Sequence, residues 1–215
     1  MIDPYEIVAR ALAGFEAEPL DPPGTRTTAD GSRGVGMLSA ADCPAEGLSS
    51  WATVQASAFD TGLTTPDGRP VRVEFVAAAD DRLARFGDAV AACAFAIDPA
   101  NDIRPGTVYR HAVSNVYPSA TTPHLFSVVP FVWGSTIRPY DDDDAHVTWL
   151  QVVPITESEA QLVSDRGANA LQDAFMREQP DLYAIDRASV RLEGDPVDHG
   201  GGSSAQAGRA SGGGD

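Results

Sequence analysis

The stretch Val147-Thr148-Trp149-Leu150-Gln151-Val152-Val153-Pro154-Ile155-Thr156-Glu157-Ser158-Glu159 leads from a predicted strand directly into a predicted helix. Its first half is rich in branched and aromatic residues, which favour strands, and Pro154 ends that run. Thr156 and Glu159 have the spacing of a capping box, in which each side chain bonds the other residue's backbone amide. Apolar residues then recur on one helix face, at Leu162, Val163, Ala170, Leu171, Ala174 and Phe175. We interpret Gly167, which interrupts this helix, as a point of close packing.

A β-hairpin is predicted in the first half of the chain. Residues 51–59 and 71–79 flank Thr65-Pro66-Asp67-Gly68, where proline presets φ and glycine takes the positive-φ position of a turn. In the second of these strands, apolar and charged residues alternate from position 71 to position 75. This alternation predicts a sheet with one face in water.

Two helices are predicted upstream of the one that follows Thr156. The first has Asp3 as its cap, Pro4 in its first position and Glu6 reaching back to the cap amide. Its predicted apolar stripe consists of Tyr5, Val8, Leu12 and Phe15. The second is capped by Asp80 or Asp81. Its apolar positions are Leu83, Phe86, Val90, Cys93 or Ala94, and Ile97.

The remaining elements decide the fold class. Strands are predicted by composition at 107–113, 124–133 and 147–153, with a short last one at 188–192. Residues 20–36 have no periodicity and are predicted to form a loop. Strands interspersed with helices, without strict βαβ alternation, favour the α+β class. We predict a mixed, mainly antiparallel sheet flanked by about three helices, in a single domain over residues 1–193. Residues 194–215 are mostly Gly, Ser, Ala and Asp, and we predict a disordered tail there.

The formal net charge of -16 is the strongest compositional signal. It opposes direct binding to nucleic acid, because that affinity comes largely from Lys and Arg neutralising phosphates. A basic partner is its natural complement. No stretch approaches the roughly 18 apolar residues of a membrane-spanning helix, so we expect no membrane partner. The N-terminal residues lack the features of a secretory signal and the two cysteines fit a reducing compartment, so we expect a cytoplasmic protein.

Signals for catalysis, cofactors or metals are weak. The glycine-containing stretch 31–36 matches neither the dinucleotide nor the Walker pattern, and no Gly-x-Ser-x-Gly nucleophile elbow occurs. His111, His124 and His146 lack compact zinc spacing, and structural roles are their simpler interpretation unless distant residues converge. We predict no cofactor and no metal. Cys43 would be a reactive thiol only if a histidine approached it.

Four adjacent carboxylates, Asp141, Asp142, Asp143 and Asp144, are the sharpest charge feature. A calcium loop spaces its ligands around a glycine turn, which this run lacks. The simpler interpretation is a solvated hairpin tip. The functional interpretation is a contact for a cationic partner. Four adjacent negative charges would speed the encounter with such a partner and exclude partners of the wrong sign.

A pocket is the alternative candidate site. It would form if side chains from neighbouring predicted strands converged, namely Tyr109, His111, His124, Arg138 and Trp149. Such a pocket would indicate an enzyme or a small-molecule-binding protein. Positions scattered over both faces of the sheet would exclude it.

Four motifs in the C-terminal half occur in a characteristic order. They are Arg104-Pro105-Gly106-Thr107-Val108-Tyr109, then His124-Leu125-Phe126 with Pro130-Phe131-Val132-Trp133, then Trp149-Leu150-Gln151-Val152-Val153-Pro154-Ile155-Thr156 with Glu159, Gly167 and Leu171, and finally Asp186-Arg187-Ala188-Ser189-Val190. In this order they resemble the bacterial branch of the Suppressor-of-fused-like domain family. The N-terminal half is similar to that family only in its general pattern.

The resemblance implies an α+β fold with a mixed sheet flanked by helices, and a role as a protein-binding module. Animal members of the family sequester a transcription factor, and bacterial members are associated with polymorphic toxin systems, where they look like immunity proteins. We therefore expect a non-catalytic protein that neutralises a cognate toxin domain, and a basic one such as a nuclease fits the charge. A regulatory adaptor that pairs a sheet edge with a peptide strand is the alternative.

Overall fold

The computed structural model describes residues 2–17 and 24–191, which form one eight-stranded sheet and four α-helices. The strands are β1 (Gly24–Thr27), β2 (Gly34–Ala41), β3 (Leu48–Val54), β4 (Val71–Asp80), β5 (Val108–Tyr109), β6 (His124–Val128), β7 (Tyr140–Asp141) and β8 (His146–Ile155). The helices are α1 (Pro4–Phe15), α2 (Phe86–Phe95), α3 (Glu157–Arg166) and α4 (Ala168–Glu178). The predicted α+β class with a mixed, mainly antiparallel sheet is confirmed.

The strand order is β1-β2-β3-β4-β8-β6-β5, and β7 pairs separately with β8. The two central strands, β4 and β8, run parallel to each other, whereas the other pairs in the described residues are antiparallel. Each central strand has ten residues, and most of them are buried. Burial on both sides is typical of parallel strands that are covered on both faces.

Helices cover both faces of this sheet. Side chains of β8 alternate between the faces: Leu150 and Val152 pack in the core that contains α2. Trp149 packs in the core that contains α1, and Val153 packs with α3 and α4. Helix α2 therefore lies on one face, while α1, α3 and α4 share the other.

The hairpin predicted around residues 65–68 is confirmed, since β3 pairs antiparallel with β4. Gly68 has a φ of 85°, and its amide donates to the carbonyl oxygen of Thr65 at 2.9 Å. The first strand of this hairpin ends earlier than predicted, at Val54.

The predicted loop at 20–36 is wrong where the structure describes it, because residues 24–36 belong to the β1–β2 hairpin. Oδ1 of Asp30 accepts hydrogen bonds from the hydroxyl of Thr28 at 2.6 Å and from the amide of Ser32 at 3.0 Å. Such side-chain bonds stabilise a turn locally and leave no trace in hydrophobic periodicity. Residues 20–23 of that prediction lie outside the described residues.

The single helix predicted after Thr156 is two helices, which meet at Gly167. This residue has a φ of 83° and a ψ of 168°, a region essentially restricted to glycine. A Cβ atom there would meet nothing within 4 Å, so the interpretation as close packing is wrong. The capping box is confirmed: Thr156 Oγ1 accepts from the Glu159 amide at 3.2 Å, and Glu159 Oε2 accepts from the Thr156 amide at 2.9 Å.

The predicted stripe of α1 is confirmed in part: Phe15 is buried, and Val8 and Leu12 are half-buried against the same core. Asp3 caps the helix as predicted, and its Oδ1 accepts from the amide of Tyr5 at 2.9 Å. The Tyr5 side chain, however, is 82% exposed. The helix contacts the sheet through its buried residues, which are Ile7, Ala11, Gly14 and Phe15.

The predicted cap of α2 is also wrong. The helix begins after Arg85, which makes no side-chain capping bond. Asp80 instead ends β4, and its Oδ1 accepts from Nε of Arg82 at 2.8 Å. The carboxylate of Asp80 binds the guanidinium of Arg82 instead of capping the helix. An aspartate's preference for cap positions does not show that a nearby arginine will bind it first.

Residues 188–191 form no strand, contrary to prediction. Backbone amides of Val190 and Arg191 donate to the carboxylates of Glu159 and Glu178 at 3.0 and 3.1 Å, so this segment is held by helices α3 and α4. Leu192 and the tail predicted at 194–215 lie outside the described residues. Within residues 2–17 and 24–191, none of the helices is long and apolar enough to cross a membrane.

Candidate protein-binding surfaces

The four adjacent aspartates lie at the tip of the hairpin formed by β7 and β8, as the simpler interpretation predicts. The amide of Asp142 donates to the carbonyl oxygen of Ala145 at 2.9 Å, and Asp142 Oδ1 accepts from the amide of Asp144 at 3.2 Å. Asp141, Asp143 and Asp144 are exposed. Their role as a contact for a partner stays a prediction.

Asp141 already has cationic neighbours within the chain. Its Oδ1 lies 3.0 Å from Nη1 of Arg69 and 2.8 Å from Nδ1 of His146. Arg69 also lies 3.6 Å from Asp67, so the 65–68 turn adds a carboxylate beside the hairpin. We call Asp67 and Asp141–Asp144 the acidic tip. A hydrogen bond from the Thr65 hydroxyl is the main cause that lowers the pKa of Asp67, which therefore stays ionised at neutral pH.

The arginines are mostly engaged by carboxylates of the same chain. At least ten of the fifteen form ion pairs among the described residues, including Arg10, Arg26, Arg69, Arg72, Arg82, Arg85, Arg104, Arg110, Arg177 and Arg187. The chain has 31 acidic residues, so carboxylates remain in large excess after this pairing. A cationic group of a partner therefore meets a surface that is predominantly negative.

The alternative pocket does not form. Tyr109 packs with Phe75 in the core under α2, whereas Trp149 lies in the core under α1, on the opposite face of the sheet. Arg138 is exposed on the segment that precedes β7. Of the five residues, the structure brings together only His111 and His124, whose rings are 5.0 Å apart. The prediction of a convergent pocket is therefore wrong.

His124 is a structural histidine with both ring nitrogens engaged. Its Nδ1 accepts from the backbone amide of His111 at 2.9 Å, which requires the proton to sit on Nε2. Nε2 then donates to Oε2 of Glu157 at 2.7 Å. The hydrogen bond from His124, with a further contribution from Arg110, holds the pKa of Glu157 below its ordinary value. With neither nitrogen free, the buried ring is not placed to accept a substrate proton.

Neither thiol fits a reactive role. Cys43 is buried, and its Sγ donates to the carbonyl oxygen of Phe15 at 3.1 Å, whereas reactive thiols are accessible. Cys93 is a core residue of α2, as predicted, and burial raises the pKa of its thiol. Both cysteines are free. Among residues 2–17 and 24–191, no group of His, Cys, Asp or Glu could hold a metal ion.

Sequence reasoning missed an apolar groove beside the end of β6. Three exposed hydrophobic side chains line it, Val129, Phe131 and Met176, together with Leu182 and Tyr183. Val129 and Phe131 fell inside a predicted strand, and Met176 lies within a predicted helix but off its apolar stripe. An apolar residue off the stripe is the signal that could have indicated this surface.

Comparison with known proteins gives two matches in sequence. A family model for the Suppressor of fused protein (SUFU) matches residues 31–188. The immunity protein YqcF of Bacillus subtilis (strain 168) is 31% identical over 157 residues, which are 73% of this chain and 81% of that protein.

Several solved structures have a similar fold, and two of them illustrate it. A SUFU homologue of Neisseria gonorrhoeae FA 1090 matches with a TM-score of 0.58 at 15% identity, over 86% of this chain and 94% of that chain. A chain in the crystal structure of the Sufu–Fu complex matches with a TM-score of 0.59 at 11% identity, over 86% of this chain and 91% of that chain. At such identities the likeness concerns the fold alone.

Proposed function

The chain belongs to the Suppressor of fused protein (SUFU) family, and from this premise we propose that it is an immunity-type protein that binds and neutralises a cognate toxin domain. The observation that carries the proposal is the similarity to a bacterial immunity protein over most of both chains. The engaged ring of His124 and the scattered alternative pocket support action by binding rather than by turnover.

The charge of the chain indicates the class of partner. A net charge of -16, with most arginines already paired internally, favours a cationic toxin domain such as a nuclease. The acidic tip would approach the basic surface with which such a domain binds its own substrate. Complementary potentials mainly raise the association rate and exclude partners of the wrong sign.

We propose the cytoplasm as the place of action. Two free thiols support a reducing compartment, where disulfides rarely form. A toxin that attacks intracellular nucleic acid would be met there.

The test requires a candidate toxin, and a toxin-like domain encoded by a gene that neighbours the gene of this chain is the one to produce. We expect the full chain to bind that recombinant domain in a one-to-one complex and to restore growth of cells that express it. A catalytically inactive toxin domain serves for the binding measurement, and an unrelated basic protein such as lysozyme serves as the specificity control. Absence of both binding and protection would contradict the proposal.

Electrostatic steering has its own measurement. We expect the association rate to fall at least tenfold between 50 and 500 mM salt, roughly as other charge-steered complexes behave. Replacing Asp142 and Asp143 by Asn should slow association further at low salt. The matched control, Glu46→Gln with Asp173→Asn, removes two exposed carboxylates elsewhere. Equal effects of the two double variants would show that net charge matters rather than the acidic tip.

The regulatory adaptor remains the second candidate. It would need a long unpaired sheet edge, but within residues 2–17 and 24–191 the edge strands β1 and β5 span four and two residues. Short edge strands are a means by which proteins discourage pairing with other chains. The immunity-type function therefore has the better support.

A further inference from the structure

The exposed apolar side chains of this protein are concentrated in one place. Among the described residues, four large hydrophobic side chains are exposed: Tyr5, Val129, Phe131 and Met176. The last three are 66%, 55% and 76% exposed, and all line one groove between the end of β6 and α4. Contiguous apolar surface of this kind on a soluble domain marks an interaction site.

The groove is formed by backbone that is already held in place. Gln151, buried in β8, accepts the amide of Phe131 on its Oε1 at 3.0 Å, which fixes the chain after β6. On the other wall, the amide of Gln179 donates to the carbonyl oxygen of Phe175 at 2.8 Å and ends α4. Oδ1 of Asp181 accepts the amide of Tyr183 at 2.9 Å. A partner therefore meets ordered walls and spends little binding energy on ordering them.

The size of the groove suits a small set of side chains. Its volume is about 560 Å³, within the range of about 300–1,000 Å³ that is typical of binding clefts. Leu182 and Tyr183 form part of its lining and are half-buried. Several apolar side chains of an opposing segment can be buried there together.

Charge decides between the candidate occupants. Asp181 is the one charged residue among those that line the groove in the described chain. A second copy is disfavoured, since each copy carries a net charge of -16 and the two would repel. The chain's own residues 194–215 are also unsuited, because Val197 is their one large aliphatic or aromatic residue.

We infer that the groove lined by Val129, Phe131 and Met176 is the docking site for an apolar segment of the cationic partner. This inference rests on the proposed function and assigns a different kinetic role to each of two surfaces. The acidic tip sets the association rate, whereas apolar side chains buried in the groove set the dissociation rate. Anchors of this kind carry much of the energy in protein complexes.

The experiment measures both rate constants for the full chain and the catalytically inactive form of the toxin domain that binds it in the test of the proposed function. Met176→Gln and Phe131→Ser remove exposed groove side chains, while Tyr5→Ser removes an exposed aromatic side chain outside the groove. We expect each groove variant to raise the dissociation rate at least tenfold with an association rate within twofold of the original. Tyr5→Ser should change neither rate constant. Unchanged thermal unfolding of all three variants serves as the folding control.

The outcomes are separable. If the original chain binds and both groove variants dissociate at its rate, the inference is overturned while the proposed function stands. If the original chain forms a dimer in sedimentation that Met176→Gln dissociates, a second copy occupies the groove and the inference is likewise overturned. If the original chain neither binds nor protects, the proposed function itself fails.

Discussion

Arg187 and Glu159 form a buried, two-bond ion pair. Nη1 and Nη2 of Arg187 lie 2.7 and 2.8 Å from Oε1 and Oε2 of Glu159, and the two side chains are 7% and 0% exposed. The same carboxylate accepts the amides of Thr156 and Val190. One glutamate therefore caps α3 and also holds the C-terminal segment against it.

Replacing Arg187 by Met should lower the free energy of unfolding by about 3–5 kcal/mol, because it leaves a buried carboxylate without its cation. Urea unfolding measures this change. Arg104→Met is the matched control, because Arg104 pairs with Asp102 at 2.8 Å but is 70% exposed. We expect at most about 1 kcal/mol from that variant. A similar loss from both variants would contradict the role assigned to Arg187.

The pH dependence of the free energy of unfolding should show the contribution of the buried Glu74 carboxyl. Burial raises the pKa of this fully buried carboxyl to about 7, although Thr53 and the amides of Ala56 and Ser57 donate to it. The folded state then holds a proton that the unfolded state has lost, so stability falls as pH rises from about 4.5 to about 7. Over that window the loss should reach about 3 kcal/mol.

In Glu74→Gln this decline should be absent, and the difference between the two urea series isolates the contribution of Glu74. Exposed Glu46→Gln should leave the decline unchanged. Carboxyls with lowered pKa, such as Asp30 and Asp80 at about 2, act with the opposite sign and at lower pH. A decline that persists in Glu74→Gln would exclude Glu74 as its source.

Gly167→Ala should cost about 1–3 kcal/mol, because the junction of α3 and α4 needs a backbone conformation that other residues rarely adopt. Thermal and urea unfolding both measure it. Gly34→Ala is the comparison: φ there is not in the positive region, and a Cβ atom would make ordinary contacts at 3.6 Å. We expect that variant to be neutral or slightly stabilised. Equal losses would indicate that conformational strain is not the cause.

His124→Phe should destabilise the fold by about 1–3 kcal/mol, because the backbone amide of His111 loses its acceptor and Glu157 loses a donor. His146→Phe, at a partly exposed ring that bonds Asp141, should cost less than about 1 kcal/mol. Denaturant midpoints distinguish the two. If His124 were catalytic, His124→Phe would instead abolish turnover of a substrate and leave the free energy of unfolding unchanged.

Local signals correctly predicted the start of α3 and the 65–68 turn, where neighbouring residues satisfy each other's hydrogen bonds. Thr156 and Glu159 form the predicted capping box, and Gly68 takes the predicted positive φ. On α1 the prediction was correct for Phe15 and partly for Val8 and Leu12, but it placed the exposed Tyr5 on the apolar stripe and omitted the buried Ile7. Packing against the segment before β7 favours the face with Gly14, where a Cβ atom would come within 2.3 Å of Ile137.

The amino-acid sequence alone determined the α+β class, the excess of negative charge and the family resemblance, because each follows from residue identity, short-range spacing and the order of motifs. Tertiary structure alone decided that Glu159 meets Arg187, that Tyr109 and Trp149 lie on opposite faces, and that Phe131 and Met176 share a groove. These are contacts between distant parts of the chain. Each of these side chains could make a favourable contact with several different residues. The packing of the whole sheet against its helices decides which of those contacts forms.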